Sequence, residues 1–277
     1  MITRKTPREI IGNRRIRAIA LDIDGTIVDE HEHMPSEIRS AISGIQDLGM
    51  QIVFCTARSI ESVLELLSRY FSKKELCAFA YITLNGSHAY RVACKGEDFA
   101  PEPIFTHPYD PSSAFRLQVV RNLTKKYPLV IEKQTSLLVD VGDPAKAKRH
   151  VRQLNKVLTS SRVKTYQYHS KVCISLKRFD KDNGLREYLK FAGIANGSVI
   201  RIADQGARFE ADYEFLRGLL GFSVGTRDSG SQRGCHGVYS SARERELALP
   251  ATLRVLQVVK ELTESMKIGI ESDSPRE

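Results

Sequence analysis

Short apolar runs alternate with amphipathic stretches in two parts of this chain, before residue 86 and after residue 181. The runs lie at 18–21, 51–56, 79–84, 198–203 and 221–225. Runs that short, closed by turn-forming residues, are typical of strands buried on both faces of a parallel sheet. Apolar residues recur at helical spacing between them, over 36–48, 59–70, 184–193 and 251–265. This alternation predicts an α/β fold with a doubly wound, Rossmann-like core.

The pattern changes between the two parts. Four prolines between residues 101 and 111 indicate a connector, and looser α+β patterning follows. Helices are predicted near 113–126 and 144–158, and strands at 129–132, 136–141, 163–168 and 171–176. We therefore expect a discontinuous core of residues 1–86 and 177–277, interrupted by an inserted α+β cap domain of residues 87–176. The polar tail 268–277 is expected to be disordered.

The cysteine content and the chain ends indicate the compartment. Five scattered cysteines without a Cys-x-x-Cys motif favour reduced thiols rather than a disulfide framework or a zinc site. The N-terminal segment has no apolar core of a signal peptide, and no apolar stretch is long enough to span a bilayer. The chain is therefore expected to be cytoplasmic, with no membrane partner.

The positive charge of the chain is concentrated in one segment. Residues 144–190 contain thirteen Lys or Arg against three acids, a surplus as large as the net charge of +9 of the whole chain. No nucleic-acid-binding signature accompanies this surplus. A solvated helix face explains much of it, and the rest predicts an anionic small-molecule substrate rather than nucleic acid. His169 and Lys171, between two predicted strands, are candidates for facing such a substrate.

Polar side chains follow four of the predicted strands. They are Asp22 and Asp24, Thr56, Asn85 and Asp204. The carboxyl ends of parallel strands meet at the edge of the sheet where such folds bind ligands. Alternation in an extended segment puts Asp22 and Asp24 on one side, where their like charges favour a bound cation such as Mg²⁺. The alternative is an ordinary turn after a strand.

These motifs resemble those of the haloacid dehalogenase (HAD) superfamily phosphatases with a C2B cap. That group includes the Cof-type and the sucrose- and trehalose-phosphate phosphatases. The first motif is Asp22-Ile-Asp-Gly-Thr26, and the resemblance extends over residues 16–262. Thr56-Ala-Arg58 is similar to the Thr-Gly-Arg of the family, and Asn85-Gly86 to the Asn-Gly that opens its cap. Lys181-x-x-Gly-Leu185 keeps the spacing of its lysine helix, although Asp182 replaces a glycine.

The resemblance implies a role for each motif. Asp22 would be the nucleophile that forms an aspartyl-phosphate, and Asp24 would act as general acid and then as general base. Thr56 and Lys181 would hold the phosphoryl oxygens. Further substrate-binding candidates are Ala57, Arg58 and Asn85, each of which also has a purely structural reading. The metal ligands implied for Mg²⁺ are Asp22, the backbone carbonyl of Asp24, Asp204 and, through water, Asp212.

The fourth motif departs from the family pattern. The family has a second acid within four residues of the first, but Arg208 stands at that place here. We interpret Asp212 as the second acid after a short loop insertion that Gly206 permits. Glu210 is the competing candidate.

The resulting hypothesis is a Mg²⁺-dependent phosphatase that hydrolyses a small phosphorylated metabolite, with a sugar phosphate as the expected substrate. Two alternatives share these features. One is a phosphotransferase of the phosphomannomutase kind, and the other is a weakly active HAD-like binding protein. The sequence predicts neither the substrate itself nor the oligomeric state.

Overall fold

A nine-stranded sheet forms the core of the computed structural model. The structure describes residues 5–95, 98–108, 118–127, 129–133, 136–158, 163–206, 210–217, 220–225, 235–240 and 245–272. The strand order is β13-β12-β11-β10-β1-β2-β3-β4-β5, parallel from β12 to β3 and antiparallel at both edges. The core strands are β1 Ala18–Leu21, β2 Gln51–Cys55, β3 Ala80–Thr83, β4 His88–Lys95, β5 Asp98–Thr106, β10 Val199–Ala203, β11 Gly221–Ser223, β12 Cys235–Tyr239 and β13 Arg245–Glu246.

Helices cover this sheet, so the mixed α/β architecture expected from the apolar pattern is confirmed. The core helices are α1 Pro7–Ile11, α2 Ser36–Asp47, α3 Ile60–Leu67, α4 Lys73–Ala78, α7 Lys181–Phe191 and α8 Ala248–Ser272. Two apolar clusters pack the buried strands against these helices. Ser59 caps α3 and Asp180 caps α7 by accepting a backbone N–H of the first turn.

The insertion contains a separate four-stranded antiparallel sheet in the order β6-β7-β9-β8. Its elements are α5 Gln118–Lys126, β6 Leu129–Lys133, β7 Ser136–Asp140, α6 Pro144–Val157, β8 Val163–Tyr168 and β9 Lys171–Leu176. Alternate residues of β7 and β9, including Leu137, Val139, Val172 and Ile174, pack against the two helices. The residues between them face the other way because side chains alternate along a strand. Residues 113–117 of the predicted first helix lie outside the described residues.

The hairpin β4–β5 extends the core sheet, because β4 pairs with β3 and β5 pairs with β4. The hairpin lies within the range 87–176 that the sequence assigns to the cap. Pro101 and Pro103, which suggested a connector, lie in β5 at the edge of the sheet. A proline is tolerated on an edge strand because its missing N–H interrupts no ladder between two strands.

Two further expectations change in the structure. Cys77 and Cys94 form a disulfide with Cα atoms 6.2 Å apart, so the expectation of five reduced thiols is wrong for this pair. The tail expected to be disordered from residue 268 continues α8 as far as Ser272, and residues 273–277 lie outside the described residues. Among the helices that the structure describes, none is long and apolar enough to cross a membrane.

Candidate active site

Asp22 and Asp24 lie directly after β1, between the ends of β2 and β10. The backbone N–H of Asp22 donates to the carbonyl of Ile202, which continues the parallel pairing by one residue. Asp22 is 5% exposed, whereas the side chain of Asp24 is 44% exposed. The two predicted carboxylates therefore differ in environment, one buried at the sheet edge and one open to the cavity.

Lys181, at the start of α7, reaches the same point. Its Nζ lies 2.7 Å from Asp22 Oδ1 and 2.6 Å from Asp212 Oδ1. A close approach of two glycines sets this position, because a Cβ on Gly184 would lie 2.5 Å from the Cα of Gly86. The backbone of the Asn85-Gly86 turn thus packs directly against the backbone of α7. This contact positions Lys181, the first residue of α7, beside Asp22.

Three carboxylates form a cluster that suits a cation. One oxygen each of Asp22, Asp204 and Asp212 lies within 4.8 Å of the others. Gly25 allows this approach, since a Cβ there would come within 2.7 Å of Asp204 Oδ2. Asp204 Oδ1 is buried and accepts no hydrogen bond. With Lys181 as the adjacent cation, three carboxylates and one ammonium group sum to −2 when all are ionised, which a divalent cation with oxygen ligands would neutralise.

The pKa values of these groups reflect burial and mutual repulsion. Desolvation raises the pKa of Asp22 to about 7, opposed by Lys181 and reinforced by Asp212. Desolvation raises the pKa of Asp204 to about 8, with the charges of Asp212 and Asp22 adding to the effect. Burial alone would lower the pKa of Lys181, but Asp212 and Asp22 outweigh it and the pKa is raised. Each acid is costly to ionise until a cation joins it.

Arg58 binds Asp24 through two of its nitrogens. Nε lies 3.1 Å from Asp24 Oδ2 and Nη2 lies 2.5 Å from Oδ1. Its remaining nitrogen donates to Glu32 Oε1 at 2.7 Å. Glu32 is in turn held by Arg69 at 3.2 Å, and its carbonyl accepts from the hydroxyl of Tyr70 at 2.7 Å.

Glu32 was not among the sequence candidates. It lies in an ordinary polar loop after the first motif, and no local pattern connects it with Arg58. Its φ of 61° is uncommon for a non-glycine residue. This unusual backbone position, together with the link to Arg58, distinguishes Glu32 from the other loop acids.

Thr56, Ala57 and Asn85 line the same cavity as the acids. The hydroxyl of Thr56 is buried and accepts the backbone N–H of Arg58 at 3.1 Å. Asn85 has a φ of 56°, and its Nδ2 donates to the hydroxyl of Tyr166 on β8 at 3.2 Å. Asn85 therefore connects the core to the insertion.

The insertion covers the cavity with one face of its sheet. We call this surface the roof, and it consists of Ser136, Leu138, Tyr166, Tyr168 and Cys173. The candidates Lys171 and His169 do not line this cavity; His169 lines an adjacent one that also contacts Asp204. The basic side chains of α6 lie on the opposite side of the insertion sheet.

The loop after β10 places Asp212 in the cluster and Glu210 outside it. Asp212 is 1% exposed, and its Oδ2 accepts the backbone N–H of Gln205 at 3.3 Å. Glu210 forms a backbone bridge with Gln167 of β8 and lines the adjacent cavity. This geometry favours the alignment that assigned Asp212 as the second acid of the fourth motif. Arg208 lies outside the described residues.

Comparison with known proteins finds a family similar to the first part of the chain. A family model described as haloacid dehalogenase-like hydrolase matches residues 19–117, a range that holds Asp22, Asp24, Thr56 and Asn85. Residues 19–117 of the chain are therefore similar to the haloacid dehalogenase-like hydrolases. The chain is also 38% identical over 47 residues to YxeH, a proposed phosphatase of Bacillus subtilis (strain 168). The match spans 17% of the length of that relative.

Solved structures agree with the HAD fold over nearly the whole chain. A proposed HAD/COF-like hydrolase from Plasmodium vivax is 20% identical, with a TM-score of 0.67 over 93% of this chain and 100% of that one. The IMP-bound IMP-nucleotidase of Plasmodium falciparum is 13% identical, with a TM-score of 0.64 over 92% of this chain and 71% of that one. At these identities the likeness establishes the fold.

Proposed function

We propose that this chain is a Mg²⁺-dependent phosphatase that hydrolyses a small phosphorylated metabolite through an aspartyl-phosphate on Asp22. One observation carries the proposal. A buried aspartate at the end of the central strand contacts Lys181 and belongs to a three-carboxylate cluster, with a second aspartate two residues further on. Phosphoryl transfer needs this combination of nucleophile, positive charge and proton donor.

Mg²⁺ would be held by Asp22 and Asp204, with Asp212 beside them. The unpartnered Oδ1 of Asp204 supports this assignment, because a buried carboxylate oxygen without a donor is otherwise costly. When bound, the cation supplies positive charge for the phosphoryl oxygens and keeps the acids ionised. Lys181 holds Asp22 in position and offers its remaining N–H to the phosphoryl group.

In the first step, an Oδ atom of Asp22 attacks phosphorus and the bond to the leaving oxygen breaks. Asp24 gives its proton to that oxygen, which departs as an alcohol. In the second step, the Asp24 carboxylate takes a proton from water, which attacks the phosphorus and releases phosphate from Asp22. The hydroxyl of Thr56 donates a hydrogen bond to a phosphoryl oxygen in both steps.

Arg58 controls the carboxylate that moves the proton. In this structure it holds Asp24 by a two-nitrogen contact. A bound phosphoryl group would compete for the same guanidinium, because phosphate and carboxylate match its fork equally well. Substrate binding would then release Asp24 toward the leaving group while Glu32 keeps Arg58 at the cavity.

The substrate expected from the resemblance is a sugar phosphate. The likeness to an IMP-nucleotidase makes a purine nucleotide a second class to examine. We also propose that the covering unit begins after β5, near residue 107, and ends with β9 at Leu176. The cavity between this unit and the core would then enclose the leaving group.

The proposal is tested by phosphate release from p-nitrophenyl phosphate with Mg²⁺, with EDTA as the metal-free condition. We expect turnover with Mg²⁺ and none with EDTA. Folded protein that is inactive with Mg²⁺ on this compound and on a panel of phosphorylated metabolites would favour the non-catalytic binding protein. Turnover that requires a bisphosphate activator would favour the phosphotransferase.

A further inference from the structure

The roof is formed by the three insertion strands β7, β8 and β9. Its five side chains are two tyrosines, a leucine, a cysteine and a serine, so none carries a charge at neutral pH in its ordinary state. Among the residues that the structure describes, all the charged groups that line this cavity come from the core, namely Asp22, Asp24, Arg58, Lys181 and Asp212. The part of a substrate that touches the five roof side chains therefore meets no ionic partner on them.

Ser136 is a polar residue of the roof whose hydroxyl lacks a hydrogen-bond partner. It is 1% exposed, and its Oγ is buried without a hydrogen-bond partner. A buried hydroxyl without a partner is costly and rare. Because Ser136 lines the cavity, a polar group of a bound molecule can satisfy it.

The other residues of the roof are mostly apolar or aromatic. Leu138 lies two residues along β7 and is 6% exposed. The ring of Tyr168 is packed edge-to-face against His169, with centroids 4.8 Å apart. The hydroxyl of Tyr166 already accepts from Asn85. The roof thus offers a buried hydroxyl without a hydrogen-bond partner, on Ser136, beside apolar and aromatic surface.

Two lysines on the same face of the insertion sheet, Lys164 and Lys171, do not add a charge to the lining of the cavity. Lys164 makes an ion pair with Asp180 at 3.1 Å and does not line the cavity. Lys171 is the register partner of Asp140, and it does not line the cavity either. Neither lysine is among the described residues that line the cavity.

We propose that the roof selects phosphate monoesters whose leaving group is uncharged, with a hydroxyl that bonds Ser136 and an apolar face that packs on Leu138. This inference rests on the proposed phosphatase function and specifies its leaving group. A second phosphate, a carboxylate or an ammonium group on the leaving group would be buried against the roof without a partner, which is strongly unfavourable.

Three substrates that differ in the charge of the leaving group test the selection. They are glucose 6-phosphate, 6-phosphogluconate and glucosamine 6-phosphate, with phenyl phosphate as the reference for turnover. We expect kcat/KM for each charged compound to be at least about tenfold below that for glucose 6-phosphate. A preference for either charged compound would overturn the inference while leaving the phosphatase intact.

Binding separates this inference from the proposed function. If neither the aryl phosphates nor any compound of the metabolite panel is hydrolysed, the phosphatase proposal fails. The affinities of the same three sugars for the Asp22→Asn protein with Mg²⁺, measured by calorimetry, still rank the leaving groups. Weaker binding of glucose 6-phosphate than of either charged sugar would contradict an uncharged-selective roof.

Ser136→Ala and Ser175→Ala form a matched pair of variants. Ser175 is the register partner of Ser136 and is also buried, but its Oγ bonds the carbonyls of Leu176 and Phe179 and does not line the cavity. We expect Ser136→Ala to lower the ratio of kcat/KM for glucose 6-phosphate over phenyl phosphate by about three- to tenfold. Ser175→Ala should leave that ratio unchanged, and equal effects of both variants would count against the inference.

A third variant introduces charge into the roof. Leu138→Lys, with its fold checked by circular dichroism, should raise the preference for 6-phosphogluconate over glucose 6-phosphate by at least about tenfold, since a cation would then face the carboxylate. An unchanged preference in the folded variant would show that Leu138 does not contact the leaving group. If this variant does not fold, the Ser136 and Ser175 pair decides the outcome.

Discussion

The core and the insertion contribute opposite kinds of surface to one cavity. The core surface is charged, and its carboxylates and cations are joined by short ion pairs such as those of Lys181 with Asp22 and of Arg58 with Asp24. The five roof side chains are uncharged and include a buried hydroxyl without a hydrogen-bond partner, on Ser136. This division suggests that the core carries out the chemistry, which is common to all phosphate esters, and that the roof selects the leaving group.

The largest effect is expected when the proposed nucleophile, Asp22, is removed from the charged surface. Asp22→Asn keeps the shape of the side chain but cannot form an aspartyl-phosphate. We expect kcat to fall by more than about a thousandfold, measured as phosphate release with Mg²⁺, with an unchanged circular dichroism spectrum. Activity close to wild type in the folded variant would contradict the mechanism.

The next prediction separates two acids of one loop. Asp212 lies in the carboxylate cluster, whereas Glu210 lies outside it. We expect Asp212→Asn to raise the Mg²⁺ concentration for half-maximal activity by about 10–100-fold, as is typical of residues beside a metal site. Glu210→Gln is the matched control and should change it little. The reverse result would show that the loop is aligned wrongly.

Mg²⁺ should stabilise the charged surface without any substrate. In the metal-free protein Asp22 and Asp204 have pKa values raised from 3.8 to about 7 and about 8. Between pH 3.8 and 8 the folded state then holds more protons than the unfolded state, so these groups make stability fall as pH rises. At pH 8, Mg²⁺ at a hundred times its Kd should add about 2.7 kcal/mol.

The measurement for this prediction is thermal unfolding at pH 5.5 and pH 8, with EDTA or with Mg²⁺. The rise in Tm caused by Mg²⁺ should be larger at pH 8, because protons compete with the cation at lower pH. Asp204→Asn should abolish most of the rise. A Tm that does not respond to Mg²⁺ at either pH would argue against a metal site in this cluster.

A smaller effect is expected at the edge of the charged surface. Glu32 orients Arg58, whereas the carboxylate of Glu65 forms an ion pair with Arg69, at 3.6 Å. Because Glu32 is 36% exposed, we expect Glu32→Gln to lower kcat/KM by only about two- to fivefold. Glu65→Gln should have no effect. Equal losses in both variants would mean that the Arg69 contact, rather than the hold on Arg58, matters.

The smallest effect is expected on the outer side of the insertion. Arg149 and Arg152 are exposed on α6, across the insertion sheet from the cavity. The double variant Arg149→Gln, Arg152→Gln should leave kcat/KM within about twofold, because exposed charges beyond a Debye length of about 10 Å are largely screened. A larger loss for small substrates would show that the basic surplus acts on the cavity.

The sequence by itself determined which polar side chains lie at the strand ends. Asp22 and Asp24 could be placed because a short apolar run and a Gly-Thr turn determine the local geometry. The strands at 163–168 and 171–176 were also predicted with the bounds that the structure has. These predictions depend on periodicity over a few neighbouring residues, which local backbone geometry enforces.

Contacts between residues far apart in the chain decided the rest. Asp182, which departs from the family pattern, forms an ion pair with the fully buried Arg201 of β10. Asp212 rather than Glu210 enters the cluster because the loop that carries both also bridges to β8. Hydrophobic periodicity indicates which face of a strand is buried, but it does not indicate what that face meets. Only tertiary packing brings Ser136 over the acids of the core.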